Sequence, residues 1–213
     1  MVRFITFEGG DGTGKTTQLR VVESRLRELK RPCVLTREPG GTTLGKMLRK
    51  VLLEVGDEEI AESTELFLYL ADRSQHVKQI IAPALSAGKI VLCDRFIDST
   101  LAYQGYGRGI DLDWLRGLND TATQGLRPDL SFLFDCPVDV GLARASQRSA
   151  HSQAGRPRED RFEREKLEFH ERVRQGFLAL AHAEPKRFRV IDASRPVADV
   201  AKQICAIVDR ELI

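Results

Sequence analysis

The chain has 213 residues, 42% hydrophobic and 30% charged, with 33 Lys and Arg against 31 Asp and Glu for a formal net charge of +2. That size and balance suit one soluble domain around one core, and exclude a disordered chain or a globally basic nucleic-acid surface. No apolar run approaches the roughly 20 residues of a membrane span and no signal-peptide pattern precedes the first strand, so a cytoplasmic protein is expected.

Short apolar runs alternate with longer stretches of helical period, the pattern of a parallel sheet covered by helices on both faces. The first expected strand, Arg3 to Glu8, runs into Gly9-Gly10-Asp11-Gly12-Thr13-Gly14-Lys15-Thr16 and then into a helix over Lys15 to Leu29. G-x-x-x-x-G-K-T between strand and helix is a phosphate-binding loop. Its turn aims backbone N–H groups at phosphate oxygens, Lys15 reaches the β- and γ-phosphates, and Thr16 offers a hydroxyl to Mg²⁺. The anion then sits on a helix N-terminus, where the dipole favours it.

The second strand, Cys33 to Thr36, is followed by Arg37-Glu38-Pro39-Gly40-Gly41-Thr42, which fixes a guanidinium and a carboxylate at the start of a turn, and then by a helix over Leu44 to Val55. A long helix over Ser63 to Ala87, stopped by Gly88, precedes the third strand, Ile90 to Cys93, which ends in Asp94-Arg95. Ligands of parallel sheets gather beyond the carboxyl ends of the strands. An acid there, beside a phosphate loop, reads as a second magnesium-organising group acting through a water; taken alone, Asp94-Arg95 would serve equally as a structural ion pair. A helix over Leu112 to Gln124, a strand over Leu130 to Phe134, helices over Val138 to Arg148 and Phe162 to His182, a strand over Phe188 to Ile191 and a helix over Pro196 to Glu211 complete the chain. Gln147 to Arg161 is polar and arginine-rich, and reads either as a functional lid or as a solvated surface excursion. The expectation is one α/β domain over residues 1–213 with a five-stranded parallel sheet and a lid at about 147–161.

Helical spacing pairs Tyr69 with Arg73, and Thr100 with Gln104 beside Tyr103. Such pairs are packing or surface residues more often than ligands, but here they supply a ring to stack on a planar group and polar atoms for its edge. Cys33, Cys93, Cys136 and Cys205 lack metal-ligand spacing and read as reduced core residues; His76, His151, His170 and His182 form no ligand set and read as surface residues. No N/T-K-x-D guanine-reading segment follows the later strands, which argues against a GTP-binding switch.

FEGGDGTGKTTQ, TREPGGT, LFLYLADR, VLCDRFIDSTLAYQGYGRGID, RPDLSFLFD and DRFERE together resemble the bacterial thymidylate kinases, from Arg3 to about Phe177. The resemblance implies a P-loop NTPase fold of the nucleoside monophosphate kinase type. It also implies transfer of the γ-phosphoryl of ATP to dTMP with Mg²⁺, commonly by a homodimer, with no nucleic-acid or membrane partner. It gives Gly9 to Thr17 to the ATP phosphates and Arg144 to the adenine. Tyr69 would stack on thymine, Arg73, Thr100 and Gln104 would read its edge, and Tyr103 would pack against the deoxyribose. Asp11 would hold the sugar 3′-hydroxyl or the metal water, and Arg37, Arg49 and Arg95 would surround the acceptor phosphate.

The acceptor phosphate has a second pKa of about 6 and is largely deprotonated at neutral pH, so the chemistry needs arginine clamps, not a general base. The phosphate loop holds no arginine, so the chain resembles the type with catalytic arginines in the lid. Lys15, Arg95, Arg156 and Arg161 are the expected catalytic residues, with Arg148 and Arg158 also available. Tyr69 stands where phenylalanine is usual, which keeps the stacking face and adds a hydroxyl that needs a partner.

Overall fold

The computed structural model describes residues 2–54, 59–150 and 161–212, with the backbone alone at 148–150. Strands β1 (Phe4–Glu8), β2 (Cys33–Arg37), β3 (Ile90–Asp94), β4 (Leu130–Asp135) and β5 (Phe188–Asp192) form an all-parallel sheet in the order β2-β3-β1-β4-β5. β1 is central, and the chain fills one side of it before crossing to the other. Its carboxyl end is therefore the place where a parallel sheet opens a crevice for ligands. β2 to β5 each run one residue beyond the expected apolar segment, and that residue is charged: Arg37, Asp94, Asp135 and Asp192. Each keeps the ladder going while its side chain stands on the ligand-facing edge.

Successive strand residues face opposite sides of the sheet. On one face Ile5, Phe7, Leu92, Phe132 and Phe134 pack under α1 (Lys15–Glu28) and α9 (Val197–Leu212) through Leu19, Val22, Leu26, Ile204 and Val208. On the other, Phe4, Val91 and Cys93 meet Val77, Ile81 and Ala84. These belong to the single long helix the sequence suggests, in which α3 (Glu62–His76) passes through a π-helical turn (Val77–Ile81) into α4 (Ala82–Ser86). The remaining helices are α2 (Thr43–Leu53), α5 (Ile97–Thr100) with its π-helical continuation Leu101–Gly107, α6 (Leu112–Thr123), α7 (Val138–Ala150) and α8 (Leu167–Ala183).

The structure departs from the expected elements in three places. The helix at 97–107 was not among them, although Thr100 and Gln104 show its spacing. The helix expected over Phe162 to His182 is broken: a 3₁₀ turn (Phe162–Arg164) ends at an extended Glu165, and α8 starts after it. The Glu165 carboxylate accepts from Arg108 at 2.6 Å, across from the break. Lastly, α7 runs on through Gln147 to Ala150, so the segment expected as lid begins with helix; 151–160 lies outside the described residues.

Burial raises the thiol pKa of every cysteine, and all four are free, although Cys33 and Cys205 are only half-buried. Among the described residues no helix is long and apolar enough to cross a membrane.

Candidate active site

The phosphate loop turns on glycines. Gly12 has φ +71°, a region costly for side chains, and a Cβ there would overlap the Gly141 carbonyl of α7. Gly14, also left-handed, caps α1 and starts its backbone ladder through Gln18 N to Gly14 O at 3.1 Å. The Lys15 ammonium folds back on the loop, donating to the carbonyls of Gly9 (3.1 Å) and Gly10 and to Thr13 Oγ1 at 3.3 Å. Burial, helped by the Arg95 charge, brings its pKa down from 10.5 to about 8. Phosphate oxygens favour the charged form, so nucleotide binding near pH 8 should take up a proton. Calorimetry in buffers of different ionisation enthalpy measures that uptake; a buffer-independent enthalpy would place Lys15 away from the phosphates.

Thr16 Oγ1 donates to Asp94 Oδ2 at 2.6 Å, joining the loop to the end of β3. Asp94 thus meets the Thr16 hydroxyl, as its register beside Phe7 allows. The next residue, Arg95, has φ +68°. Its guanidinium donates to Gly9 O (2.8 Å), Asp11 Oδ1 (2.8 Å), Ser99 Oγ (3.3 Å) and Tyr103 Oη (3.2 Å) and lies over the Tyr103 ring. Tyr103 Oη donates to Asp11 Oδ2 at 3.1 Å, and its ring packs edge-on against Phe162, Phe169 and Phe177. Burial alone would raise Asp11, but Arg95 and Lys15 outweigh it and hold the carboxyl below its usual value. Behind Arg95 stands Glu8, fully buried, which accepts from Phe96 N–H at 2.8 Å and Ser99 Oγ–H at 2.6 Å. Burial and then Asp98 push the Glu8 carboxyl up to about 8.

The fold brings Arg73 and Thr100, 27 residues apart in sequence, into contact. Arg73 is 1% exposed, and four of its N–H bonds are engaged, with Glu38 (2.8 Å), Thr100 Oγ1 (2.7 Å), Asn119 and Phe96 O (3.0 Å). Glu38 also meets His76 Nδ1 at 2.9 Å, and His76 Nε2 lies 2.5 Å from Thr36 Oγ1. His76 is therefore fully buried, contrary to the surface position expected, because a carboxylate and a hydroxyl from the β2 edge satisfy both ring nitrogens. His170 is buried too, against Phe169 and the loop side of Asp11; His182 is exposed as expected, and His151 lies outside the described residues. Asp72, raised to about 6 by burial and Glu38, accepts from Gly40 N at 3.2 Å. Gln104 is buried and donates to Glu65 at 2.8 Å. Tyr69 packs at the edge of the same apolar cluster, and its hydroxyl has no hydrogen-bond partner among the described residues.

Gly40 has φ +112°, and a Cβ on it would meet Arg49 Cδ at 3.0 Å and Arg37 Nε at 3.6 Å, so both arginines flank this turn; Arg49 also donates to Pro39 O at 3.0 Å. Arg144 donates to Ala193 O at 2.8 Å and lines a cavity of about 360 Å³ with Gly12, Thr13, Thr17 and Pro196. Arg161 points elsewhere than the phosphate loop: it donates to Leu52 O and Glu65 and covers the Phe162 ring. Arg148, Arg156 and Arg158 carry no described side chain. Glu8, Glu38, Glu65 and His76, which hold the expected ligand groups in place, were not among the candidates. Glu65 precedes Tyr69 and Arg73 at helical spacing, a signal available in the sequence.

A parallel sheet with a glycine-rich phosphate loop after its central strand, a hydroxyl–carboxylate pair at the loop's edge and an arginine-flanked turn after strand β2 defines a P-loop phosphotransferase. The thymidylate kinase family model matches residues 7–204. The chain belongs to the thymidylate kinase family. It is 53% identical to the thymidylate kinase of Desulfovibrio desulfuricans over 98% of this chain and 96% of that protein. To that of Geobacter sulfurreducens it is 52% identical over 96% and 95%. The crystal structure of the Ehrlichia chaffeensis thymidylate kinase superposes with a TM-score of 0.75 at 36% identity, covering 97% of this chain and 98% of that one.

Proposed function

We propose that this chain transfers the γ-phosphoryl of ATP to dTMP. One contact supports this most directly: Asp11 lies inside the phosphate loop and bonds Arg95 and Tyr103 of the neighbouring pocket, so donor and acceptor sites share a wall. ATP lies with its phosphates on the loop and its adenine in the cavity at Arg144. The dTMP phosphate lies among Arg37, Arg49 and Arg95, with thymine between Tyr69 and the polar group of Arg73, Thr100 and Gln104. Charge supplied on both sides of the transferring group stabilises the transition state without a base. A coupled assay over dTMP, dUMP, UMP, CMP and thymidine tests the reading; preference for any acceptor over dTMP overturns it.

Thr16 and Asp94 fit Mg²⁺, since two oxygen ligands stand side by side at the loop and the ion needs few protein ligands when phosphates supply the rest. Thr16 and Asp94 would hold the ion, and the chemistry it would supply is neutralisation of phosphate charge. Arginines of the segment 147–161, among Arg148, Arg156, Arg158 and Arg161, supply the remaining positive charge. We place the enzyme in the cytoplasm.

A homodimer is supported by exposed apolar side chains on neighbouring helices: Leu44, Met47 and Val51 on α2, Phe67 on α3 and Trp114 on α6. The outer face of α3 continues as Thr64, Ala71 and Ser74, small enough for close approach by a second helix. Phe67→Glu should give a mass near the 23.9 kDa of one chain in light scattering, against about twice that for the native protein. A native protein of single-chain mass would contradict the dimer.

A further inference from the structure

We propose that Glu65 is a positioning residue that decides which pyrimidines the pocket accepts, by fixing the orientation of the Gln104 amide. The inference rests on the placement of the acceptor base at Arg73, Thr100 and Gln104.

Glu65 is 1% exposed on α3, one turn before Tyr69 and two before Arg73. Its Oε1 accepts from Gln104 Nε2 at 2.8 Å, while Oε2 accepts from Arg161 and, at 3.4 Å, from Arg108. A glutamine amide left to itself offers either its oxygen or its NH₂ group to a ligand, because a half-turn exchanges them. A carboxylate offers acceptors alone, so Glu65 holds the NH₂ group and turns the carbonyl away from itself. That carbonyl has no hydrogen-bond partner among the described residues. One turn earlier, the Thr100 hydroxyl accepts from Arg73 Nη1 and keeps its own O–H to donate. With four of its five N–H bonds committed, Arg73 keeps one to donate, so the group offers donors at Arg73 and Thr100 and an acceptor at Gln104.

Thymine and uracil place a C4 carbonyl beside N3–H, which complements that pattern. Cytosine reverses it, with an amino group at C4 and a bare acceptor at N3. An acceptor facing an acceptor in a dry pocket leaves both unsatisfied. Glu65 therefore excludes cytosine without touching the base.

The test compares the native enzyme, Glu65→Gln, and the double exchange Glu65→Gln with Gln104→Glu. kcat/KM is read for dTMP, dUMP and dCMP alongside thermal melting; dUMP and dCMP differ only at C4 and N3. In Glu65→Gln the side chain on α3 offers either polarity and Gln104 is free to turn, so preference for dTMP and dUMP over dCMP should fall about 10- to 100-fold. Arg108 keeps Glu165 as partner at 2.6 Å. The double exchange should restore the preference, because the amide moved to α3 donates to the carboxylate that replaces Gln104 and leaves one carboxylate oxygen facing the base. Equal losses on all three substrates, with their ratios unchanged, would reduce Glu65 to a packing role and overturn the proposal. If Glu65→Gln does not fold, the double exchange decides alone: native-like ratios support the proposal and collapsed ratios overturn it. A native enzyme that prefers an acceptor other than dTMP overturns the substrate reading itself; native dTMP preference with ratios unaffected by Glu65→Gln overturns only the role of Glu65.

Discussion

Lys15→Ala should lower kcat by about 10²- to 10³-fold with little change in the fold, since one preorganised cationic donor at a transferring phosphoryl is removed. The loop does not depend on that ammonium for its shape. Its glycines set the turn, the Gly9 carbonyl keeps Arg95 as a donor at 2.8 Å, and the α1 ladder begins at Gly14. Removing a buried charge also removes its desolvation cost, so stability should change little near neutral pH. The pH dependence carries a second signature. Because burial brings Lys15 from 10.5 to about 8, the unfolded chain binds more protons between those values, and native stability gains from this group as pH rises through the interval. The alanine variant should lack that gain. Steady-state rates with melting curves at several pH values measure both effects, and turnover within about threefold of native would contradict the assignment of Lys15 to the phosphates.

The sheet was readable because its central strands β3, β1 and β4 are buried on both faces, which writes them as continuous apolar runs, and because the loop after β1 concentrates four glycines and a lysine in eight residues. What escaped was held by partners remote in sequence. His76 looks solvent-facing in its polar segment, yet Glu38 and Thr36, about forty residues earlier, satisfy it in the interior. Arg73 is expected at the edge of a base, whereas its place as the hub of a buried network, with four N–H bonds committed to Glu38, Thr100, Asn119 and Phe96, left no mark in the sequence. The helix after β3 was hidden by Gly105 and Gly107, poor helix formers whose place there follows from close packing against neighbours that only the fold reveals. Arg161 is the converse case. DRFERE marked it for the phosphoryl group, whereas its guanidinium is taken up by Glu65 and the Leu52 carbonyl.

Arg95→Lys should lower kcat/KM for dTMP by about 10²-fold or more, although charge is conserved, because a single ammonium cannot replace a planar fork. The guanidinium reaches Gly9 O, Asp11, Ser99 and Tyr103 together, and so ties the phosphate loop to the pocket wall. Arg95→Gly separates this role from backbone strain. A left-handed non-glycine residue costs about 1–2 kcal/mol, which glycine at φ +68° does not incur, so the glycine variant should retain more stability than its lost contacts imply while losing at least as much activity. The strained backbone persists because Glu8 grips it from behind, taking the Phe96 N–H and, through Ser99, the guanidinium itself. A fully buried carboxyl group is a costly way to build a turn unless the arginine it aims is the group that the acceptor phosphate needs. Kinetics on dTMP together with melting temperatures decide the matter. If Arg95→Lys stays within about threefold of native, charge alone suffices at this position and the geometry enforced by Glu8 has no catalytic consequence.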